Sequence, residues 1–287
     1  MLLADSALAR RLIWRTGRKL YMYARGEGPN DPRTNGEYWL LERVLSASRQ
    51  GPAVLLDIGA NVGNWSAEAL RLVPAGSPVK ILAIEPSHAT CALLTARFRD
   101  RRNVAVHECA LSAAAGHAAF YSSNAGAGTN SLSPLSGPNT ETVRLVTMDE
   151  LLLHSAPGAV AMAKIDAEGA DALILRGAER ALTSGAIEVI QFEYNWRWLL
   201  FHQSLRDIFE LIAGTPYRVA KLVNRGLHYY EAWHPELDRF FESNYVLVRN
   251  DSVLTSIGCL VRFDHAISPR YRVAPRTGAG LGSHHHD

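Results

Sequence analysis

From residue 53 onward, short aliphatic or β-branched runs alternate with stretches whose apolar positions fall three and four apart. AVLLDI precedes WSAEALRLV, KILAIE precedes HATCALLTARF, VAMAKID precedes ADALILRGAERAL and IEVIQFEY precedes SLRDIFELI, with NVAVHECAL as a further strand between them. Strand runs that are apolar along their length belong to a sheet covered on both faces, and the helical stretches supply the crossovers of a parallel sheet. The later runs YRVAKLV, LHYYEAW and NYVLVRN instead alternate apolar with polar residues, which predicts an antiparallel edge.

Two segments depart from this rhythm. Residues 112–150 are rich in Gly, Ser, Asn and Pro; GHAAFYSS and TVRLVT are expected to pair as strands around the loop NAGAGTNSLSPLSGPNT. A loop this long is commonly either functional or disordered. Ahead of the core, Arg10, Arg11, Arg15, Arg18, Lys19, Arg25 and Arg33 interleave with Leu8, Leu12, Ile13, Leu20 and Tyr23. That is the pattern of an amphipathic helix with a solvated charged side, and the segment is expected to pack on the core as a helical cap through the joint GEGPNDPRTNG.

Composition adds bounds. A chain of 287 residues with 47% apolar content can bury a sizeable core, and a net charge of +2 gives no global field for nucleic acid. Cys91, Cys109 and Cys259 show neither metal nor redox spacing, which suggests a reducing compartment. No run approaches the roughly 20 apolar residues of a membrane span and no secretion signal is evident, so a cytoplasmic location is expected. The terminal SHHHD resembles a purification tag and is left out of site reasoning.

In an open parallel sheet, ligands sit beyond the carboxyl ends of the strands. The first such end is LLDIGANVGNW, where Asp57 is followed by Gly59 and Gly63 and then by a helix whose free N–H groups face the same edge. Its D-x-G-x-x-x-G spacing lacks the middle glycine of the dinucleotide fingerprint, which weighs against a nicotinamide dehydrogenase. Glu85, ending the second strand, is placed to accept both hydroxyls of a ribose.

LLDIGANVGNWS, ILAIEPS, NVAVHECALS, AMAKIDAEGADALILRGA and IEVIQFE resemble, in order and approximate spacing, the FkbM-type family of class I S-adenosylmethionine-dependent methyltransferases. The resemblance spans about residues 53–250, with KIDAEGAD as its most specific part. It implies an α/β Rossmann-like fold with a seven-stranded, mostly parallel sheet whose last strand is antiparallel. The expected division is an N-terminal helical cap at 1–50, a methyltransferase domain at 51–250 and a C-terminal extension at 251–287. By position, Asp57, Gly59, Asn61 and Gly63 would bound the methionine half of the cofactor and Glu85 its ribose. Pro86 and Ser87 would flank the adenine, with Glu108, Cys109 and Ala110 near its edge. The loop around Thr129, Asn130 and Ser131 would fold over the cofactor as a lid.

KIDAEGAD places Lys164 and Asp166 on one face of the fourth strand, with Glu168 at the turn into the next helix. Such charges are costly to crowd unless they bind something, compensate each other or cap the helix. Glu193 and Asn195 end the fifth strand, so Asp166, Glu193 and Asn195 would offer an oxygen set for Mg²⁺, against the nearby Lys164. His202 is a rival base among the scattered histidines, and Trp196, Arg197, Trp198 and Phe201 are either a stacking wall or core. The expected reaction is methyl transfer to a hydroxyl of a sugar, glycoside or polyketide-like small molecule, with Asp166, Glu168 or Glu193 accepting the proton late. A nicotinamide-dependent oxidoreductase and a non-catalytic adenosylmethionine-binding partner are the rival readings. No nucleic-acid partner is expected, and homodimerisation through the N-terminal segment is left open.

Overall fold

The computed structural model describes residues 7–47, 53–73, 78–155, 159–264 and 267–273. The tag-like tail lies outside them. The strands are β1 (Ala53–Ile58), β2 (Val79–Ile84), β3 (Val104–His107), β4 (Ala110–Leu111), β5 (Gly116–Ser122), β6 (Asn139–Val146) and β7 (Val160–Ile165). They continue with β8 (Ile187–Tyr194), β9 (Tyr217–Val223), β10 (Gly226–Tyr230), β11 (Ser243–Arg249), β12 (Gly258–Phe263) and β13 (Pro269–Val273). The helices are α1 (Ala7–Ala24), α2 (Glu37–Ala47), α3 (Asn64–Leu72), α4 (His88–Phe98), α5 (Met148–Ser155), α6 (Asp171–Arg176), α7 (Glu179–Ser184) and α8 (Leu205–Leu211).

Successive strand residues point to opposite faces, and both faces are covered. Leu55, Ile81, Met162 and Val189 join Leu40, Leu41 and Val44 of α2 and Trp65 and Ala69 of α3 in one buried layer. Their strand neighbours Leu56, Leu82, Ala163 and Ile190 join residues of α5 to α8 in the other. Each fully buried aliphatic side chain stabilises the fold by roughly 1.5–3 kcal/mol before entropy is counted, which is why these strands read as unbroken apolar runs.

Among the described residues, the main sheet has ten strands in the order β13-β12-β10-β9-β11-β8-β7-β1-β2-β3. The stretch from β9 to β3 is the expected seven-stranded plan: β3, β2, β1, β7 and β8 run parallel, and β11 is antiparallel to both β8 and β9. Three strands extend it, so the sheet crosses the boundary expected at residue 250. β12 pairs parallel to β10 and β13 antiparallel to β12. GCLVRF and PRYRV are short and interrupted by arginines and a proline, which left them without a strand signature in the sequence.

The insertion folds as expected in outline. β5 and β6 pair antiparallel from Gly116↔Leu145 to Ser122↔Asn139, and β4 joins β6 in a small second sheet. ADALILRGAERAL forms two helices, α6 and α7, that part at Gly177. The N-terminal cap divides unequally: α2 buries Leu40, Leu41, Val44 and Leu45, whereas α1 buries none of its residues.

Gly63 joins β1 to α3 at φ 78°, and a Cβ there would meet the Phe98 ring at 2.4 Å and Leu94 at 2.7 Å. Left-handed strain and over-packing add. Gly63→Ala is expected to cost roughly 2–4 kcal/mol in urea unfolding, and an unchanged midpoint would contradict this packing.

Candidate active site

The order of strands reverses at β1, whose neighbours are β2 on one side and β7 on the other. At such a point the connections diverge and leave a crevice at the strand ends. Here it holds a cavity of about 250 Å³, walled by the ends of β1, β2, β4 and β7, by the loop between β5 and β6, and by the segment between α1 and α2. Gly59, at φ 77°, lets two strand ends meet: a Cβ would lie 1.9 Å from the carbonyl oxygen of Asp166. Asp166 N–H donates to Ile58 O at 2.9 Å, and the N–H groups of Gly59 and Ala60 donate to Ile84 O at 3.0 and 2.9 Å.

Glu85 forms one wall. Its Oε2 accepts the backbone N–H of Asn61 at 3.0 Å and its Oε1 that of Ser87 at 3.0 Å. Burial nonetheless pushes its carboxyl up to about 7, against the lowering effect of those two N–H groups. The loop between β5 and β6 is tied to the same turn, since Asn61 Nδ2 donates to Gly126 O at 3.2 Å and Gly126 N–H donates to Thr90 Oγ1 at 3.0 Å. Its Asn130, Ser131 and Leu132 line the cavity. Ser131 Oγ lies 2.6 Å from Ser136 Oγ and accepts the N–H of Ser133 at 3.1 Å, which holds the loop's shape.

Lys164 is the buried cation of the site. Its Nζ donates to Asp166 Oδ2 at 2.8 Å. Burial opposes its charge, but the carboxylates of Asp166, Glu37 and Asp57 outweigh that and hold the ammonium above its ordinary range. Asp57, fully buried, is raised by burial against the pull of Lys164 and of Ser66. Ser66 donates to Asp57 Oδ2 from both its hydroxyl, at 2.6 Å, and its N–H, at 3.2 Å.

Beyond Lys164 the rim is acidic. Carboxylate oxygens of Asp166, Glu168 and Glu193 all lie within 4.8 Å of one another. Burial and then the Asp166 charge lift Glu168 to about 8, against the Arg197 guanidinium at 2.8 Å. Glu193 is raised well above its usual range, first by burial and then by Asp166 and Glu168. Its oxygens accept from Asn30 Nδ2 at 2.9 Å and Asn195 Nδ2 at 2.8 Å. Glu168 holds a left-handed φ of 53°, strain that a surrounding structure must impose on a non-glycine residue.

The expected residues separate into two groups. Gly59, Asn61, Glu85, Pro86, Cys109, Ala110, Ser131, Lys164, Asp166 and Glu168 line the cavity. Glu193 sits against them at the rim. Asp57 and Gly63 are absent from the lining: Asp57 fastens the start of α3, and Gly63 faces Leu94 and Phe98. Ser87 holds Glu85 through its N–H alone, while Glu108 is exposed and paired with His88 at 2.9 Å. Asn195 caps its own turn, its amide donating to Glu193 and its Oδ1 accepting Arg197 N–H at 2.8 Å, and Glu168 stands with Asp166 and Glu193 in an acidic trio. His202 is exposed and outside the lining, displaced because the fifth strand runs into a 3₁₀ turn, Trp196–Phe201, that carries it away. Trp198 is core rather than wall: it is fully buried, and its Nε1–H donates to Glu193 O at 2.9 Å.

Several lining residues gave no signal in sequence. Asn30, Pro32, Glu37 and Tyr38 reach the cavity from the N-terminal segment, Trp65 from α3, and Leu111 and Phe120 from the inserted sheet. The segment is pinned by Glu27, which accepts from Lys221 Nζ at 2.5 Å and from the Ser243 hydroxyl. Asn30 also donates to Glu242 at 2.5 Å.

A family model, the methyltransferase FkbM domain, matches residues 57–221, from the first glycine turn through β9. The chain belongs to the FkbM methyltransferase family. The fold is accordingly the Rossmann-like class I methyltransferase fold, carried here on an extended sheet. No curated protein matches the chain. Among solved structures, methyltransferase FkbM from Methylobacillus flagellatus KT is 16% identical, with 82% of this chain and 59% of that one covered at a TM-score of 0.44. The chain thus spans less than two thirds of that protein's length. The O-methyltransferase TomG from Streptomyces achromogenes, involved in tomaymycin synthesis, is 13% identical over 74% of this chain and 79% of its own, at a TM-score of 0.42. An rRNA methylase from Streptococcus thermophilus is 12% identical over 73% and 94%, at a TM-score of 0.38.

Lys164→Met leaves Asp57, Asp166 and Glu37 without their shared cation. The variant is expected to lose about 3–5 kcal/mol near neutral pH. A buried carboxyl with a raised folded pKa weakens the fold as pH rises from its unfolded pKa to its folded one. The penalty is therefore expected to be small at about pH 4 and large at about pH 8; denaturant titrations showing the same loss at both would contradict the pairing.

Proposed function

We propose that this FkbM domain is an S-adenosylmethionine-dependent methyltransferase acting on a hydroxyl group of a small molecule such as a sugar, a glycoside or a polyketide-like natural product. The carrying observation is the juxtaposition of Glu85, a buried acceptor fixed by two N–H groups, with the acidic rim at Asp166 and Glu168 across one cavity. Of the buried polar atoms on that cavity's lining residues that lack a hydrogen bond, Glu168 Oε2 has its ion pair with Arg197, whereas the acceptor Asn61 Oδ1 and the donor Trp65 Nε1 have neither. Those atoms fit a ligand with both an ammonium and a carboxylate, and Glu85 fits a ribose. Pro86, Cys109, Ala110, Leu111 and Phe120 supply the apolar surface that a purine needs.

Adenosylmethionine supplies a methyl group already activated on a sulfonium, so the protein's task is to bind, orient and manage a proton. A neutral alcohol is too weak an acid for a carboxylate to deprotonate in advance. Its proton becomes acidic as the carbon–oxygen bond forms, and Glu168, held near 8, is then the best-matched acceptor of the trio. Lys164 pairs with Asp166 at 2.8 Å, and Arg197 anchors Glu168 at the rim. This reading assigns the proton to the carboxylates themselves, without Mg²⁺; Lys164 and Arg197 already occupy positions from which they offset the rim's charge. The nicotinamide alternative is set aside with the family assignment.

Glu85 must be ionised to accept hydroxyl protons. Affinity for adenosylmethionine is therefore expected to fall about tenfold per pH unit below about 7. Glu85→Gln should bind weakly at every pH; calorimetry showing a flat wild-type profile would remove Glu85 from the ribose.

Labelled methyl donor and a panel of hydroxylated acceptors test the reaction. Incorporation on oxygen, unchanged by EDTA, is expected, with kcat rising with pH toward about 8. Glu168→Gln should lower kcat by about 10²–10³ with little change in donor affinity. Transfer to nitrogen or carbon, or loss of turnover in EDTA, would overturn the assignment.

A further inference from the structure

α1 is attached to the body by its last turns. The Tyr21 hydroxyl donates to Glu236, Arg25 Nη1 donates to Glu236 O at 2.5 Å, and the Arg18 guanidinium lies 5.4 Å from the centre of the Phe241 ring. At about 3.6 residues per turn, Tyr21 and Arg18 share one side of the helix. Leu12, Ile13, Leu20 and Tyr23 fall on the side turned away from it.

That outward side is apolar and open: Leu12 is 56% exposed, Ile13 62%, Leu20 66% and Tyr23 85%. The remaining surface carries the helix's cations together with the exposed Leu8 and Trp14. α1 carries Arg10, Arg11, Arg15, Arg18 and Lys19 and contains neither aspartate nor glutamate. A helix that only needed solubility would turn its apolar residues toward the protein; this one holds an apolar stripe outward, bordered by Arg15 and Lys19.

We propose that α1 is an in-plane anchor that docks on an anionic membrane surface. Leu12, Ile13, Leu20 and Tyr23 enter the boundary between headgroups and acyl chains, and Arg15 and Lys19, along one border of that stripe, reach the anionic headgroups. The charge pattern selects this occupant over a second copy of the chain. Two α1 helices packed face to face would bring two basic, acid-free surfaces together with no carboxylate on either to offset them. Insertion across the bilayer is a different matter, because no described helix is long and apolar enough to cross a membrane. The inference rests on α1 alone and is independent of the chemistry at the cavity.

Flotation of the full chain with phosphatidylcholine vesicles, with and without about one third phosphatidylserine, tests it, with light scattering on the free protein. Binding is expected to the anionic vesicles, more than about tenfold tighter than to the neutral ones and weakening as salt is raised. A triple and a double variant probe the apolar stripe and its basic border: Leu12→Ser/Ile13→Ser/Leu20→Ser and Arg15→Gln/Lys19→Gln. All five side chains are exposed, so both variants should keep the wild-type unfolding transition while losing binding more than about tenfold. Absence of flotation with either vesicle would overturn the proposal, as would equal binding to both. A dimer that the apolar triple variant dissociates would assign the face to a second copy instead.

Discussion

One buried ammonium organises the carboxyl edge of this sheet. Lys164, next to last in β7, lies among Asp57 of β1, Asp166 just past its own strand and Glu37 of α2, three carboxylates from three parts of the chain. Each would be expensive to bury alone, and the cation would be too. Together they fix the start of α3 through Asp57 and Ser66, the cavity wall through Asp166, and the packing of α2 through Glu37. Structure and proposed chemistry share this cluster, because Asp166 also begins the acidic rim at which we propose the methyl transfer occurs.

The rim itself is an arrangement of opposed costs. Asp166, Glu168 and Glu193 repel one another, and burial adds to the repulsion, so Glu168 and Glu193 sit far above ordinary carboxylates. Lys164 and Arg197 offset part of that, and Asn30 and Asn195 donate to Glu193 without adding charge. Such a site holds protons close to neutral pH, which is what late acceptance from an alcohol requires. The price is local strain, visible at the left-handed backbone of Glu168.

Much of this was legible in the chain, for identifiable reasons. Strands buried on both faces must be apolar throughout, so β1, β2, β7 and β8 announce themselves, and the turn after Asp57 needs glycine where backbones touch, as Gly59 does against Asp166. What the turn does not reveal is the second duty of Asp57 and Gly63, which hold α3 and α4 from outside the cavity lining. Nor does the chain reveal that Asn195 caps its own turn, since an amide oxygen serves turns and ions alike. The N-terminal wall was hidden altogether: Asn30 meets Glu193, and Glu27 meets Lys221, across more than half the sequence, and no local pattern encodes such contacts.

A structure of the chain with S-adenosylhomocysteine is the most direct test of the central claim. The nucleoside is expected in the cavity beside Gly59, its ribose hydroxyls on Glu85 and its sulfur toward Asp166 and Glu168. Occupancy at any other place, or none at saturating ligand, would contradict the account.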